Sequence, residues 1–166
     1  MPTNSKKKGN RGENQLVHIL EEAFGDGQFK RTPSSGAYTG GKNREGAENL
    51  PWEAKITLVS DIITPSNFNF VVEHKFYESI SFWELFSDKS NWNDWIKQVQ
   101  DDANFVDKEP LLIIKYNRHK RIALVRHPYL WKFNMAADLI WKGFGVVELD
   151  ELLKVAPREF WFAEEQ

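Results

Sequence analysis

The chain has 166 residues, a formal net charge of −2 and no cysteine, and it carries seven Trp, twelve Phe and four Tyr. That length favours one domain with a proper core, and the aromatic content excludes disorder over most of it. Without cysteine there is no disulfide framework or thiolate zinc site, and no apolar run approaches the roughly 20 residues of a membrane span, so a soluble, cytoplasmic protein with no membrane partner is expected.

Residues 1–11 contain Lys6, Lys7, Lys8 and Arg11 with no acid among them. They read as a flexible basic N-terminus, either a solvated tail or a set of phosphate contacts. With so small a net charge, any nucleic acid must be held by such local basic surfaces. From Gly12 to Phe24 the spacing of Leu16, Val17, Ile19, Leu20 and Ala23 predicts an amphipathic helix, stopped at Gly25-Asp26-Gly27. Glu13 lies in its first turn, where an acid ordinarily serves the helix dipole. Phe29 to Thr32 reads as a short strand before Pro33-Ser34-Ser35-Gly36. Residues 37–50 are rich in Gly, Lys, Arg and Asn, the composition of a mobile loop. Trp52 to Thr57 leads back into the sheet.

Next comes the stretch around which the chain is organised. Leu58 to Ile63 reads as a strand, Pro65-Ser66-Asn67 as a turn, and Phe68 to Phe76 as a second strand. Three charges interrupt these apolar runs: Asp61, Glu73 and Lys75. Buried charges are costly unless something pairs with them. Glu73 and Lys75, two apart, share one face of a strand, and Asp61 is placed to lie beside Glu73 across the hairpin. Two carboxylates and an ammonium then converge where a divalent cation and a phosphate would fit. A structural cross-strand ion pair is the plain alternative, since acid-x-Lys triplets are common. Glu53-Ala54-Lys55 is one such decoy, with no acid on a preceding strand. His74 faces the other side, so its side chain reads as structural.

Ile80 to Phe86 is aromatic-dense and reads as a short helix or turn. Trp92, Trp95, Ile96, Val99 and Ala103 predict a helix over Trp92–Phe105. Pro110 opens an aliphatic strand, Leu111 to Tyr116, suited to a sheet centre. Asn117-Arg118-His119-Lys120 turns it into Arg121–Val125. Residues 126–166 form a C-terminal extension with weaker signals: a strand at Gly145–Leu149 and a helical turn at Asp150–Val155. Phe160-Trp161-Phe162 is too apolar for a loose tail, so it folds back or meets a partner.

The predicted order is helix-strand-strand-strand-helix-strand-strand in a single domain. With an acid in the first helix, Asp on one strand and Glu-x-Lys on the next, it resembles the PD-(D/E)xK nuclease superfamily, and within it archaeal-type Holliday-junction resolvases, some phage-encoded. Lys8-Gly9-Asn10-Arg11-Gly12-Glu13 resembles the family's Lys-Gly segment ending in a helix-borne catalytic Glu. Phe29-Lys30-Arg31-Thr32-Pro33-Ser34-Ser35-Gly36 is similar to its Arg-x-x-x-Ser-Gly element. Ser60-Asp61-Ile62-Ile63 corresponds to the metal-binding Asp, and Val72-Glu73-His74-Lys75 to the Glu-x-Lys. Gln98 and the Pro110–Lys115 strand sit where that family has a helix glutamine and a Pro-led strand. Ser60 departs from the Pro that names the superfamily. The insertion between Gly36 and Asp61 is a second departure and leaves the preferred DNA shape open.

The resemblance implies an α/β restriction-endonuclease-like core, a mixed central sheet flanked by helices, and metal-dependent DNA hydrolysis. It assigns Glu13, Asp61, Glu73, Lys75 and Ser35 to catalysis. Asp61, Glu73, Glu13 and the backbone carbonyl of His74 would ligate Mg²⁺, with Mn²⁺ able to substitute. Lys6, Lys7, Lys8, Arg11, Lys30, Arg31, Lys42 and Arg44 would contact DNA phosphate. The implied partner is branched DNA at a four-way junction. Two strands related by a two-fold axis imply a homodimer. Trp83–Trp95 and Phe160–Phe162 are interface candidates that are equally suited to a monomer core.

Overall fold

The computed structural model describes residues 3–25, 27–33 and 46–164. In chain order come α1 (Thr3–Phe24), β1 (Lys30–Arg31), α2 (Trp52–Val59), β2 (Ile62–Ile63), β3 (Phe70–Tyr77), a 3₁₀ turn (Phe82–Phe86), α3 (Asn91–Val106) and β4 (Glu109–Tyr116). Then follow β5 (Ile122–Arg126), α4 (His127–Lys132), β6 (Leu139–Trp141), β7 (Phe144–Glu148), α5 (Leu149–Val155) and α6 (Arg158–Trp161). The central sheet has the order β3-β4-β5-β7-β6, with β3 and β4 parallel and every other pair antiparallel. β1 and β2 form a separate antiparallel pair. The architecture is α/β, a mixed five-stranded sheet flanked by helices.

Both faces of the sheet are covered, which is why β4 reads as an unbroken aliphatic run. Leu111 and Ile113 project into a core shared with α1, α5 and α6, containing Leu16, Leu20, Phe70, Leu149 and Phe160. Leu112 and Ile114 project the other way, against Trp92, Trp95, Ile96 and Val99 of α3. The period-2 alternation of the strand thus feeds two cores. α3 begins where Ser90 Oγ accepts the Trp92 N–H (3.3 Å) and ends where Asp107 turns left-handed at φ 54°.

Two expectations need correction. The run Leu58–Ile63 is not a strand: Trp52–Val59 is helix α2, and only Ile62–Ile63 is extended. Ile56 and Val59 are buried against Ala103 and Val106, spaced as a helix needs. The decoy Glu53-Ala54-Lys55 therefore sits on a helix. Second, the basic start is not a flexible tail, because α1 already begins at Thr3. Its first turns carry no apolar stripe to announce them; instead Lys8 Nζ lies 4.6 Å from the Phe76 ring centroid. Residues 126–166, read as a C-terminal extension, carry a strand (β7) and a helix (α5) where the sequence placed a strand and a helical turn. They supply two of the five strands, and Phe160, Trp161 and Phe162 fold back into the core. Phe162 bridges Phe68, the residue that leads into β3. Among the interface candidates, Trp92 and Trp95 are likewise buried, whereas Phe82, Trp83 and Phe86 are exposed. The stretch predicted as a mobile loop lies largely outside the described residues. No described helix is long and apolar enough to cross a membrane.

Candidate active site

β3 is an edge strand of the sheet, and its free margin is occupied by the Ser60-Asp61 segment. The Asp61 N–H donates to the Val72 carbonyl (3.0 Å), and the His74 N–H donates to Asp61 Oδ2 (2.8 Å). Ser60, which replaces the proline of the pattern this segment resembles, adds to this seam. Its Oγ accepts the N–H groups of Val72 (3.2 Å) and Ile62 (3.3 Å), and its proton faces the Ile62 carbonyl at 2.7 Å. A hydroxyl thus does by hydrogen bonding what a ring would do by stiffness. In a strand the N–H and C=O of one residue point to the same side. The His74 carbonyl therefore faces the Asp61 margin.

The side chains of Glu73 and Lys75 lie on the α3 face. Lys75 Nζ donates to Glu73 Oε1 at 2.5 Å and to Gln98 Oε1 at 3.3 Å, while Gln98 Nε2 donates to Glu73 Oε1 at 3.0 Å. All these bonds use Oε1, so Oε2 is the Glu73 oxygen open to a cation. Burial, reinforced by the Asp61 charge, pushes the Glu73 carboxyl up to about 8. For Lys75, burial works to lower the pKa, but the adjacent Glu73 outweighs it and holds the ammonium above its usual value. Lys75 is therefore a fixed cation and a poor proton acceptor.

His74 faces α1, as expected. Burial, then the charges of Arg121 and Lys75, push it down to about 3, so it is neutral at physiological pH, and neither ring nitrogen has a hydrogen-bond partner. A Cβ built on Gly12 would stand 2.5 Å from His74 Cε1 and 2.9 Å from Phe76 Cδ1. This close crossing of α1 over β3 sets the position of Glu13, the next residue. Gly12→Ala is expected to cost about 1–3 kcal/mol through overpacking, exceeding the roughly 1 kcal/mol that alanine gains in helix propensity. A melting curve checks it: an unchanged or raised Tm would mean the crossing is looser than this.

Of the assigned residues, Asp61, Glu73 and Lys75 are brought together. Glu13 is buried, but it approaches from α1, on the opposite side of the sheet, and its Oε2 takes Arg31 Nη1 at 3.4 Å. Among the described residues, no three His, Asp or Glu side chains are grouped so as to hold a metal ion. What fits a cation is smaller: two carboxylates that repel each other, plus a carbonyl. Such an all-oxygen set suits a hard ion that keeps several waters, as Mg²⁺ does. Lys6, Lys7, Arg11 and Lys30 are exposed, and Arg31 is half-buried beside Glu13. Ser35, Lys42 and Arg44 lie outside the described residues.

The sequence matches Gln98 only to the family's helix glutamine and does not single out Asp102 at all. Gln98 bridges Glu73 and Lys75, and Asp102, one helical turn on, is fully buried and helps to raise Glu73. The available signal was a polar pair at i, i+4 on the core-facing stripe of α3, where local pattern and chemistry disagree.

A family model described as "Phage putative PDDEXK endonuclease" matches residues 4–151. Among solved structures, the chain is similar to Hjc of Archaeoglobus fulgidus, a Holliday junction resolvase. The identity is 14%, the match covers 86% of this chain and 89% of that one, and the TM-score is 0.40. No curated protein matches.

Proposed function

Because the chain belongs to the phage PDDEXK endonuclease family, we propose that it is a Mg²⁺-dependent endonuclease that hydrolyses DNA phosphodiesters, with four-way junctions as substrate. The observation that carries this reading is the convergence of buried Asp61 and Glu73 with half-buried Lys75, Gln98 clamping Glu73 to Lys75 on the edge strand. Asp61, Glu73 Oε2 and the His74 carbonyl would hold the ion. A divalent ion there supplies Lewis-acid stabilisation of the phosphoryl charge and an acidified water.

The rest falls to the chain's own groups. Lys75, kept protonated, places fixed positive charge where a phosphate's charge grows. Gln98 locks the rotamers of both Glu73 and Lys75. Glu13, paired with Arg31 on the α1 side of the sheet, is left outside this set. A homodimer would bring two such sites to paired strands. The exposed Phe82, Trp83 and Phe86 are the surface that suits self-association.

Helix α2 favours a second reading. It lies in the insertion between Gly36 and Asp61, where the chain departs from the resolvase pattern, and it packs on α3 beside the site. Such an addition suits a relative acting on duplex, flap or nicked DNA.

Purified protein with Mg²⁺ should nick an immobile four-way junction at paired positions and leave linear duplex of the same sequence largely intact. Lys75→Ala should keep junction binding and lose cleavage, because the ammonium acts on the transition state more than the ground state. Equal cutting of junction and duplex would remove the junction reading and leave a general nuclease. Binding without cutting in Mg²⁺ or Mn²⁺ would mean an inactive DNA-binding module of the same fold.

A further inference from the structure

Two dense basic runs of this sequence lie far apart along it. One is Lys6 to Arg11; the other is Lys115 to Arg121, carrying Lys115, Arg118, Lys120 and Arg121. The fold brings them to one end of the central sheet. β3 and β4 run parallel and finish there together, with Phe76 in register with Lys115 and Tyr77 with Tyr116. α1 crosses at the same end, where Lys8 covers Phe76. Arg121 links the two runs, its Nη2 donating to Gln15 Oε1 of α1 at 2.9 Å. In a chain of net charge −2 this is a strong local concentration of cations.

Acids at this end neutralise only part of it. Glu148 takes Lys120 at 2.6 Å, and Asp150 faces both Lys120 and Arg121. Arg118 forms no ion pair among the described residues. It is exposed at the tip of the β4–β5 turn, in the left-handed region at φ 63°, where glycine or asparagine would sit with less strain. Lys115 Nζ donates to the His119 carbonyl and ties the turn from within. The tip thus carries an exposed cation on a turn tied from within, at the same end of the sheet as the exposed Lys7 and Arg11 of α1.

We infer that the β4–β5 turn, with Arg118 at its tip, together with Lys7 and Arg11 at the same end of the sheet, is a contact surface for the phosphate backbone of DNA on one side of the scissile phosphate. This rests on the nuclease reading above. The strand geometry sets the reach. Ile114 is in register with Lys75, and Arg118 is four residues further along the chain, the last two in the turn beyond β4, so it stands within about 13 Å at ~3.3 Å per strand residue. Measured along the duplex axis at ~3.4 Å per step, that reach corresponds to at most about four nucleotide steps.

The chain has no cysteine, so Arg118→Cys creates its sole thiol. DNA bearing a tether activated as a mixed disulfide, on a phosphate within about four nucleotides of the cleavage position, should exchange with the variant's thiolate and release the small thiol, in a yield that falls as salt rises. Lys132→Cys is the control: it is exposed on α4, which follows Arg126 and its partner Glu109 at the far end of the sheet, and it should not crosslink. In parallel, Arg118→Ala should lower the slope of log affinity against log salt by close to one unit. Equal crosslinking of both cysteines, or an unchanged slope, overturns the inference and leaves the nuclease reading standing. A parent protein that binds DNA without salt dependence, or does not bind it, overturns both.

Discussion

Asp61→Asn is expected to reduce metal-dependent cleavage by on the order of a thousandfold or more while the fold persists. Several kcal/mol of transition-state stabilisation depend on the ion, and each 1.4 kcal/mol is about a factor of ten. The fold should survive because asparagine still offers an oxygen to the His74 N–H, the bond that anchors this segment to β3. Adjacent carboxylates destabilise each other and a cation relieves them, so Mn²⁺ should raise the parent's Tm and leave the variant's unchanged. The pH dependence carries a matching signature. Glu73 rises from 4.5 to about 8, through burial first and Asp61 second. Between those values the metal-free native state holds a proton that the unfolded chain has lost, so stability declines as pH rises through the window. Removing the Asp61 charge lowers the folded value, and the decline should level off at lower pH. If variant and parent share one Mn²⁺ response and one pH profile, the two carboxylates do not form a common site.

Trp161→Ala should cost about 3–5 kcal/mol, the range for deleting a large buried aromatic ring. Trp161 is 1% exposed and sits among Phe24, Phe68, Phe70 and Phe160 at centroid distances of 5.2, 6.1, 5.6 and 4.9 Å. For a chain of this length the loss corresponds to a Tm lower by roughly 6–20 °C. Cleavage should fail with it at growth temperatures, since the Trp161 carbonyl accepts the Asn69 N–H immediately before β3. Trp161→Phe keeps a ring and removes an indole N–H that has no hydrogen-bond partner, so it should be milder. A calorimetric scan in which both variants melt with the parent would show that this cluster does not brace the catalytic strand.

The parts of the molecule that could be read from sequence are those where one period dominates. The stripe of α3, the aliphatic β4 and the charged β3 each follow a single rule over eight or more residues. Trp52–Val59 was misread because a run containing Ile56, Leu58 and Val59 before Ile62 and Ile63 satisfies both strand and helix periods over a short window. The first turns of α1 were hidden because lysine stems, rather than apolar side chains, dock there. Asp61, Glu73 and Lys75 stood out because charges interrupted apolar strands, whereas Asp102 did not, since one acid in a helix looks like a solvated face. The meeting of Arg121 with Gln15 depends on tertiary structure alone, and no local pattern encodes it.

The parallel pairing of β3 with β4 has a consequence for how the molecule is made. Glu73 is in register with Leu112, and the intervening chain must first build α3 as a crossover before the two strands can align. The hairpin of β4 and β5, by contrast, closes over a short turn. Loop-closure entropy falls on the strand that bears the chemistry, so local structure forms quickly and the long-range pairing sets the pace. The Glu73–Lys75–Gln98 clamp therefore depends on this long-range pairing, and a chain holding only its local hairpins and helices lacks it.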